Sequence, residues 1–537
     1  MPPFMVSAPG KVIVFGEHSV VYGKAAIAAA ISLRSYLHVT TLSKSRRVVS
    51  LRFPDIDLTH TWKIDDLPWE TFHAPEKKKF YYSLVTELDP DLVQAIQPHL
   101  EDISPDKPDE IRKIHKASAS SFLYLFLSLG SQVFPGCMYT LRSTIPIGAG
   151  LGSSASIAVC LSAALLLQLR ALSGPHPDQP SDEARTQVER INRWAFVAEM
   201  CIHGTPSGVD NTVSTQGKAV VFQRREGLPQ IVSPLWEFPE LPLLLVDTKQ
   251  AKSTAHELAK VRKLKETHPK LVNTILDSMD KVTNAARDIL EEDGFNEKNE
   301  EDLLRIGELM RVNHGLLVSL GVSHPRLERI RELADHQGIG WTKLTGAGGG
   351  GCSITLMKPD VSQEKLSDLY GKLEEEGYQR FETSVGCHGI GVLWPAVLKN
   401  GGEDDAWGGM EIDVDKFLKA EGTEGGRSLH RYYQTNPASK KFDELGITGL
   451  DSADLAAWAN AKVLREVASG EIFGNARSER DYWKTVQKDG VPFRSVQKGY
   501  DWGTDDQGRL ISDYSLSEFE DRLKTLEESL VLGLTPV

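Results

Sequence analysis

The sequence predicts an α+β or α/β architecture, and three observations predict it. Strand-like runs alternate with helical segments over the first 395 residues, the pattern of sheets covered by helices. A glycine-rich loop stands between one such run and a long apolar helix. The apolar fraction of 40% supports ordinary buried cores and excludes wholesale disorder. At about 150 residues per domain, a chain of 537 residues has room for three or four domains.

The first zone covers residues 1–225. It opens with a short β-type run, Val12 to Phe15, followed by an apolar segment from Ala25 to Ile31. The strand-like Met138–Leu141 leads into the glycine loop. Ala155–Leu169 comes next. It holds Ser156, Ser162 and Gln168 and ends at Arg170, so it is too short and too polar to span a bilayer and reads as a buried helix. Residues 173–183 are polar and proline-rich and read as an exposed loop, after which a helix spans Ala184 to about Cys201. The second zone, residues 226–395, opens with the apolar run Leu241–Val246. Amphipathic helices follow around 252–292 and 301–319, then strand-like segments at Ser353–Met357 and Gly389–Trp394. The third zone, residues 396–537, begins with a Gly-, Asp- and Glu-rich stretch at 400–427 that reads as a tether. Beyond it, Asp454–Ala468 places Leu455, Trp458, Ala459, Val463 and Val467 on one helical face. Ser515 and Glu518 form a capping box ahead of Phe519, Leu523, Leu526 and Leu530.

Charge and cysteine usage remove several classes of function. With 61 basic and 74 acidic residues the net charge is −13, against an electrostatic nucleic-acid binder and against a polybasic membrane anchor. Five cysteines without a CxxC pair exclude a disulfide scaffold and a structural zinc site. Met1–Val6 lacks the features of a signal peptide, so a cytoplasmic chain is expected.

Three segments carry chemistry. The central one is Pro146-Ile147-Gly148-Ala149-Gly150-Leu151-Gly152-Ser153-Ser154-Ala155. Its glycines let the backbone approach an anion, and the helix starting near Ser153 offers unpaired N–H groups and a positive dipole end, a site suited to nucleotide phosphates. No Walker A pattern is present. Gly346-Ala347-Gly348-Gly349-Gly350-Gly351 matches the dinucleotide pattern, but it opens a strand, Cys352–Met357, where that motif must open a helix. The opening segment, Ser7-Ala8-Pro9-Gly10-Lys11 through Gly16-Glu17-His18, puts a cation beside a turn. Taken alone, Lys11 reads equally as a solvated lysine and His18 as a structural histidine. In the third segment Glu199 ends a helix and Asp210 follows the Pro206–Gly208 turn. One carboxylate can hold Mg²⁺ beside phosphate oxygens and the other can act as a base on a hydroxyl, or Asp210 can simply cap a helix.

SAPGKVIVFGEHSVVYGK, PIGAGLGSSAS and KLTGAGGGGCSI together resemble the three signature motifs of the GHMP small-molecule kinases. The resemblance covers about residues 5–395. GEHSVVYGK and HGTPSGVDNTVSTQG are closest to the members that phosphorylate mevalonate. The resemblance implies an α+β GHMP kinase fold, with an N-terminal domain like ribosomal S5 domain 2 and a ferredoxin-like C-terminal domain, followed here by a C-terminal extension. It implies that ATP lies against Gly148, Ala149, Gly150, Leu151, Gly152, Ser153 and Ser154, with Ser143 also touching nucleotide. Ser154 and Glu199 would hold Mg²⁺. Asp210 would take the proton from the C5 hydroxyl of mevalonate. Lys11 would lower that hydroxyl's pKa while facing the γ-phosphate, and Glu17 and His18 would line the mevalonate side. Gly346–Gly351 would support the phosphate loop. A homodimer and feedback inhibition by prenyl diphosphates belong to the same set of expectations, and no adenine contact is carried over to Phe53-Pro54-Asp55. A second reading, a catalytically silent nucleotide sensor on the same fold, should have lost Lys11 or Asp210, and both are present.

Overall fold

Bulky side chains on both faces open the chain as a strand, β1 (Phe4–Phe15), buried along nearly all of its length. The structure, a computed structural model, describes residues 2–419 apart from 75–76, 78–84, 147, 170–171, 173–180, 226–229, 293, 395 and 399–409. β1 pairs antiparallel with β2 (Ala25–Thr41), a 17-residue strand whose alanine-rich start lets neighbours approach closely. Their register shifts between Pro9 and Lys11. The surplus lies in β2, where Ile31, Ser32 and Leu33 stand against the single Gly10 of β1, and an added Cβ on Gly10 would meet the Leu151 carbonyl oxygen at 2.8 Å. The Lys11 amide donates to that same oxygen at 2.8 Å, so the bulge is the point where strand and glycine loop touch.

β3 (Val48–Phe53), β4 (Leu58–Lys63) and β5 (Cys137–Ser143) complete one wing of the sheet in the order β4-β3-β5-β2. Between β4 and β5 lie the short α1 (Trp69–Phe72) and α2 (Pro90–Ile96) and the long α3 (Asp109–Leu129). Past β5 the chain runs through the glycine loop into α4 (Ser153–Gln168), then α5 (Ser181–His203) and α6 (Val209–Gln216). α4 is apolar all round because it is covered all round, by α3, α5, α6 and the strands β1 and β2. β6 (Ala219–Gln223) pairs with the start of β2, and β7 (Ile231–Leu235) pairs with β6. That hairpin straddles residue 225, so the crossing into the second half falls after β7.

The second wing holds β8 (Leu241–Asp247), β9 (Gly340–Leu344), β10 (Cys352–Met357) and β11 (Gln379–Val385), ordered β11-β8-β10-β9. Its helices are α7 (Thr254–Thr267), α8 (Pro269–Leu290), α9 (Glu300–Ser319), α10 (Pro325–His336) and α11 (Gln363–Glu375). In α8 the buried Val272, Leu276, Met279, Thr283, Ala286 and Leu290 recur every three or four residues, which defines its core face. The amphipathic stretch over 252–292 breaks into two helices at His268, because Pro269 suits a first helical position and no interior one.

One strand joins the wings. Val385 of β11 pairs with Ile31 of β2, the Gly386 amide donates to the Ala30 carbonyl at 2.8 Å, and the Ser384 amide donates to Ser32 Oγ at 3.1 Å. The result is a single twelve-stranded sheet, closed by β12 (Gly391–Leu393) returning to β1. Of the stretch expected to be a tether, residues 410–419 are described. Val397–Leu398 (β13) pairs with Met410–Glu411 (β14), and α12 (Val414–Lys419) follows. The helices expected at 454–468 and from Ser515 to Leu530 lie outside the described residues. Among the described residues no helix is long and apolar enough to cross a membrane.

Candidate active site

The glycine loop alternates in burial. Ala149 and Leu151 are buried in the core, and Gly148 and Gly150 are exposed. Two side chains thus anchor the loop while its backbone faces outward. Gly152 (φ +72°) turns the chain into α4, a conformation that a side chain would strain. The first amides of a helix have no partner within it, and with the helix dipole they favour an anion beside Ser153 and Ser154.

Lys11 and Asp210 converge beside this loop. Lys11 Nζ donates to the Gly150 carbonyl at 3.2 Å and lies 3.4 Å from Asp210 Oδ1. Asp210 stands in the first turn of α6, just after the turn at Gly208. Behind it, the Asn211 amide donates to Asn192 Oδ1 at 2.6 Å and Thr212 Oγ1 donates to the Gly208 carbonyl at 2.7 Å, which fixes the start of the helix. The Asp210 side chain keeps 35% of its surface, enough to meet a substrate.

Glu199, in the last turns of α5, reaches across to α4, where Ser154 Oγ donates to its Oε2 at 3.2 Å. Burial first, and then the nearby Asp210, pushes the Glu199 carboxyl up to about 8. Its Oε1 is buried without a partner among the described residues. His203, one turn further on, places Nε2 3.2 Å from Ser154 Oγ. Mg²⁺ takes hard oxygens, needs only one or two protein carboxylates, and leaves the remaining positions to phosphate and water. An orphaned carboxylate oxygen beside a serine hydroxyl fits that demand.

Other positions fall elsewhere. Ser143, at the end of β5, accepts from the Ile145 amide at 3.2 Å and sits 3.2 Å from Ser35 Oγ. Glu17 and His18 are both buried, 1% and 4% exposed. Glu17 is fully enclosed and ion-paired with Lys343 of β9, with Asn313 donating to its other oxygen at 3.0 Å. A carboxylate at an apolar seam between elements requires a cation, and Lys343 meets that requirement. His18 turns Nε2 onto the Ala347 carbonyl at 2.8 Å, and burial pushes its imidazole pKa down. Both residues therefore tie the first motif to β9 and the Gly346–Gly351 loop.

Lys252 is a further cation at the site that sequence reasoning does not single out. It lies in the loop between β8 and α7, and an added Cβ on Gly150 or Gly346 would come within 3.7 or 3.8 Å of its Nζ. Burial, helped by Lys11, pushes its ammonium down. A strand-to-helix loop is where such a cation is expected, but Asp247–Ser253 holds two lysines, Lys249 and Lys252, and no motif that separates them.

Comparison with known proteins agrees with this geometry. Residues 116–218 match the GHMP kinases N-terminal domain and residues 293–372 the GHMP kinases C-terminal model. A mevalonate kinase of Gibberella zeae is 76% identical over 429 residues, covering 80% of this chain and 84% of that protein. The Homo sapiens mevalonate kinase is 35% identical over 392 residues, covering 72% of this chain and 94% of that protein. The fold is also that of the L. major mevalonate kinase solved in complex with R-mevalonate, at 24% identity and a TM-score of 0.50, covering 71% of this chain and 96% of that one. Sequence motifs, the meeting of Lys11, Asp210, Ser154 and Glu199, and identity along most of the length of these relatives lead to one assignment: the chain belongs to the mevalonate kinases of the GHMP kinase family.

Proposed function

We propose that the chain transfers the γ-phosphoryl group of ATP to the C5 hydroxyl of mevalonate, giving 5-phosphomevalonate and ADP, an early step of isoprenoid and sterol synthesis. The observation that carries this reading is the Lys11–Asp210 pair set against the glycine loop. Phosphoryl transfer asks a protein for positioning and charge stabilisation more than for covalent chemistry. Asp210 takes the proton as the C5 O–H bond breaks. The oxygen bonds to the γ-phosphorus, and the bond to the β-phosphate oxygen breaks with its electrons leaving on ADP. Lys11 neutralises charge on the attacking oxygen and on the transferring group. General bases of this kind contribute about 10²–10⁴ in rate. The exposed Gly148 and Gly150 of the loop Gly148–Gly152 and the first amides of α4 receive the phosphates, with Ser153 and Ser143 beside them. Ser154 and Glu199 would hold Mg²⁺, which would supply neutralisation of phosphate charge. Lys252 faces the same anions from the second half.

The reading includes a cytoplasmic homodimer organised as residues 1–225, 226–395 and an extension. Long-chain prenyl diphosphates inhibit it in competition with ATP, because a diphosphate head suits the start of α4 as ATP does. An ADP-release assay over mevalonate, phosphomevalonate, galactose and homoserine tests the substrate. Turnover with mevalonate alone supports the proposal, and turnover with another alcohol, or none, overturns it. A silent sensor has no need of Lys11 and Asp210 held 3.4 Å apart.

A further inference from the structure

Residues 410–419 lie beyond the strands that build the main sheet and carry no motif of the reaction, yet they are fastened to the first half with several kinds of bond. The Ile412 amide donates to the Ala396 carbonyl at 2.8 Å, and the Ala396 amide donates to the Pro3 carbonyl at 2.8 Å. Ile412 and Phe417 are 2% and 1% exposed, packed with Met5, Tyr36, Leu393 and Ala396. His38 of β2 places Nε2 2.8 Å from the Ile412 carbonyl oxygen, and its ring lies 5.4 Å from that of Phe417. Asp413 caps α12 by accepting from the Lys416 amide at 2.8 Å.

The far end of α12 meets β5. Its last carbonyls have no acceptor role within the helix and carry the negative end of its dipole. Arg142 Nη1 donates to one of them, that of Leu418, at 2.6 Å. The same guanidinium holds Asp55 Oδ1 through Nε at 3.1 Å, and Asp55 Oδ2 accepts from the Ser143 amide at 2.7 Å. Ser143 is the last residue of β5 and stands five positions before Gly148 of the phosphate loop. A chain of contacts thus runs from Phe417 through Leu418, Arg142 and Asp55 to Ser143.

We propose that Met410–Lys419 is a strap that sets the nucleotide side of the cleft, with Phe417 and Arg142 as positioning residues for ATP. Phe417 anchors the strap, and Arg142 transmits its position to Asp55 and Ser143. Arg142 also neutralises the Asp55 carboxylate, which would otherwise repel an incoming polyphosphate. The inference rests on the reading that Ser143 meets the nucleotide, and it assigns a role in the kinase to a segment that composition reads as a spacer.

The test uses the full chain with Phe417→Ala, Arg142→Met, Arg142→Lys and Ser143→Ala, measuring kcat and both KM values. The expected result for Phe417→Ala and Arg142→Met is a rise of about fivefold in KM for ATP, with kcat and the KM for mevalonate held within about twofold. Arg142→Lys, which can keep one of the two contacts, should fall between. The double variant should be no worse than Arg142→Met, since both act through one contact. An unchanged KM for ATP in Arg142→Met overturns the proposal, even if Phe417→Ala fails to fold. So does a fall in kcat alone, which a merely structural strap would give. If Ser143→Ala raises the KM for ATP while the strap variants do not, only the strap falls. If all are silent, the reading of Ser143 falls with it. If the strap variants raise it and Ser143→Ala does not, the proposed route through Ser143 is overturned.

Discussion

Replacing Glu17 by Gln removes one charge from a pair whose members both have 0% exposed side chains. The amide oxygen can still accept from Lys343, while the new NH2 replaces the oxygen that accepted from Asn313 and must donate instead, to the unpartnered Asn313 Oδ1 once that amide turns, so the main loss is the charge. Lys343 then has the amide and the Leu344 carbonyl at 2.8 Å as neutral acceptors and no counter-ion. Breaking a buried pair in this way costs about 3–5 kcal/mol, a large share of the roughly 5–15 kcal/mol that separates folded from unfolded proteins. Burial already pushes the Lys343 ammonium down, and loss of Glu17 removes the main influence holding it up. The variant's folded state therefore sheds this proton at a pH where the unfolded chain, with an ordinary lysine near 10.4, still binds it. Between those two points the unfolded state holds more protons, so stability rises with pH, by up to about 1.4 kcal/mol per unit. Urea unfolding of both proteins at neutral and alkaline pH measures this. Glu17→Leu with Lys343→Met should recover most of the loss. A cost below about 1 kcal/mol, or one independent of pH, would refute the buried-pair account. A tenfold rise in the KM for mevalonate at unchanged stability would return Glu17 to the substrate side, at about 1.4 kcal/mol of lost binding.

Other measurements address the reaction centre. Lys11→Met should bind Mg-ATP normally and lose about 10²–10³ in kcat, and near-normal turnover removes Lys11 from the mechanism. Asp210→Asn should lose about 10²–10⁴ in kcat with nucleotide affinity intact and no rescue by extra Mg²⁺, whereas Glu199→Gln should be partly rescued. Rescue of both to the same degree would make Asp210 a metal ligand first. Glu199 is raised to about 8, so the free enzyme carries its proton at neutral pH and stability falls as pH rises from the unfolded value toward that point. Binding of the metal nucleotide should release about one proton at neutral pH, fewer above the raised value, and none from Glu199 in Glu199→Gln; calorimetry in buffers of different ionisation enthalpy reads this directly. Lys252→Met should weaken ATP binding about tenfold or more if its ammonium meets the phosphates, and an unchanged KM for ATP would place it outside the site.

Sequence reasoning reached furthest where one short segment carries both an element boundary and its chemistry. Gly148–Ser154 declares a strand-to-helix turn, and Asp210 follows the Pro206–Gly208 turn. Pro9-Gly10, read as a turn beside Lys11, instead runs on inside β1. For Glu17 and His18 the ties to the second half were not legible, because adjacency in a motif says nothing about which way a side chain turns. The partner that decides it, Lys343, lies in β9 more than three hundred residues on and is one lysine among apolar neighbours. Lys252 was missed for the same reason: a cation outside any motif has no spacing to recognise. The stretch at 400–427 was read from its average composition, whereas two side chains, Ile412 and Phe417, supply most of what holds α12 down. Averages hide such anchors.

Because β2 belongs to both wings, the cleft has no linker on which to swing. Within the sheet the second wing joins β2 around Ala30–Ser32, and beside that joint Glu17–Lys343, His18–Ala347 and Thr345–Ile13 also bridge the two wings. Motion of one wing against the other must therefore twist that strand, opposed by the β1, β5 and β6 ladders on either side of the joint and by those bridges. A joint of this kind gives small, stiff excursions in place of wide opening. It also makes the amides of Ala30, Ile31 and Ser32 a gauge of strain between the walls. Lys11 and the glycine loop stand on one side of the joint and Lys252 on the other, so a polyphosphate held by both would load it, and slower hydrogen exchange there would report the load from a place that neither substrate touches.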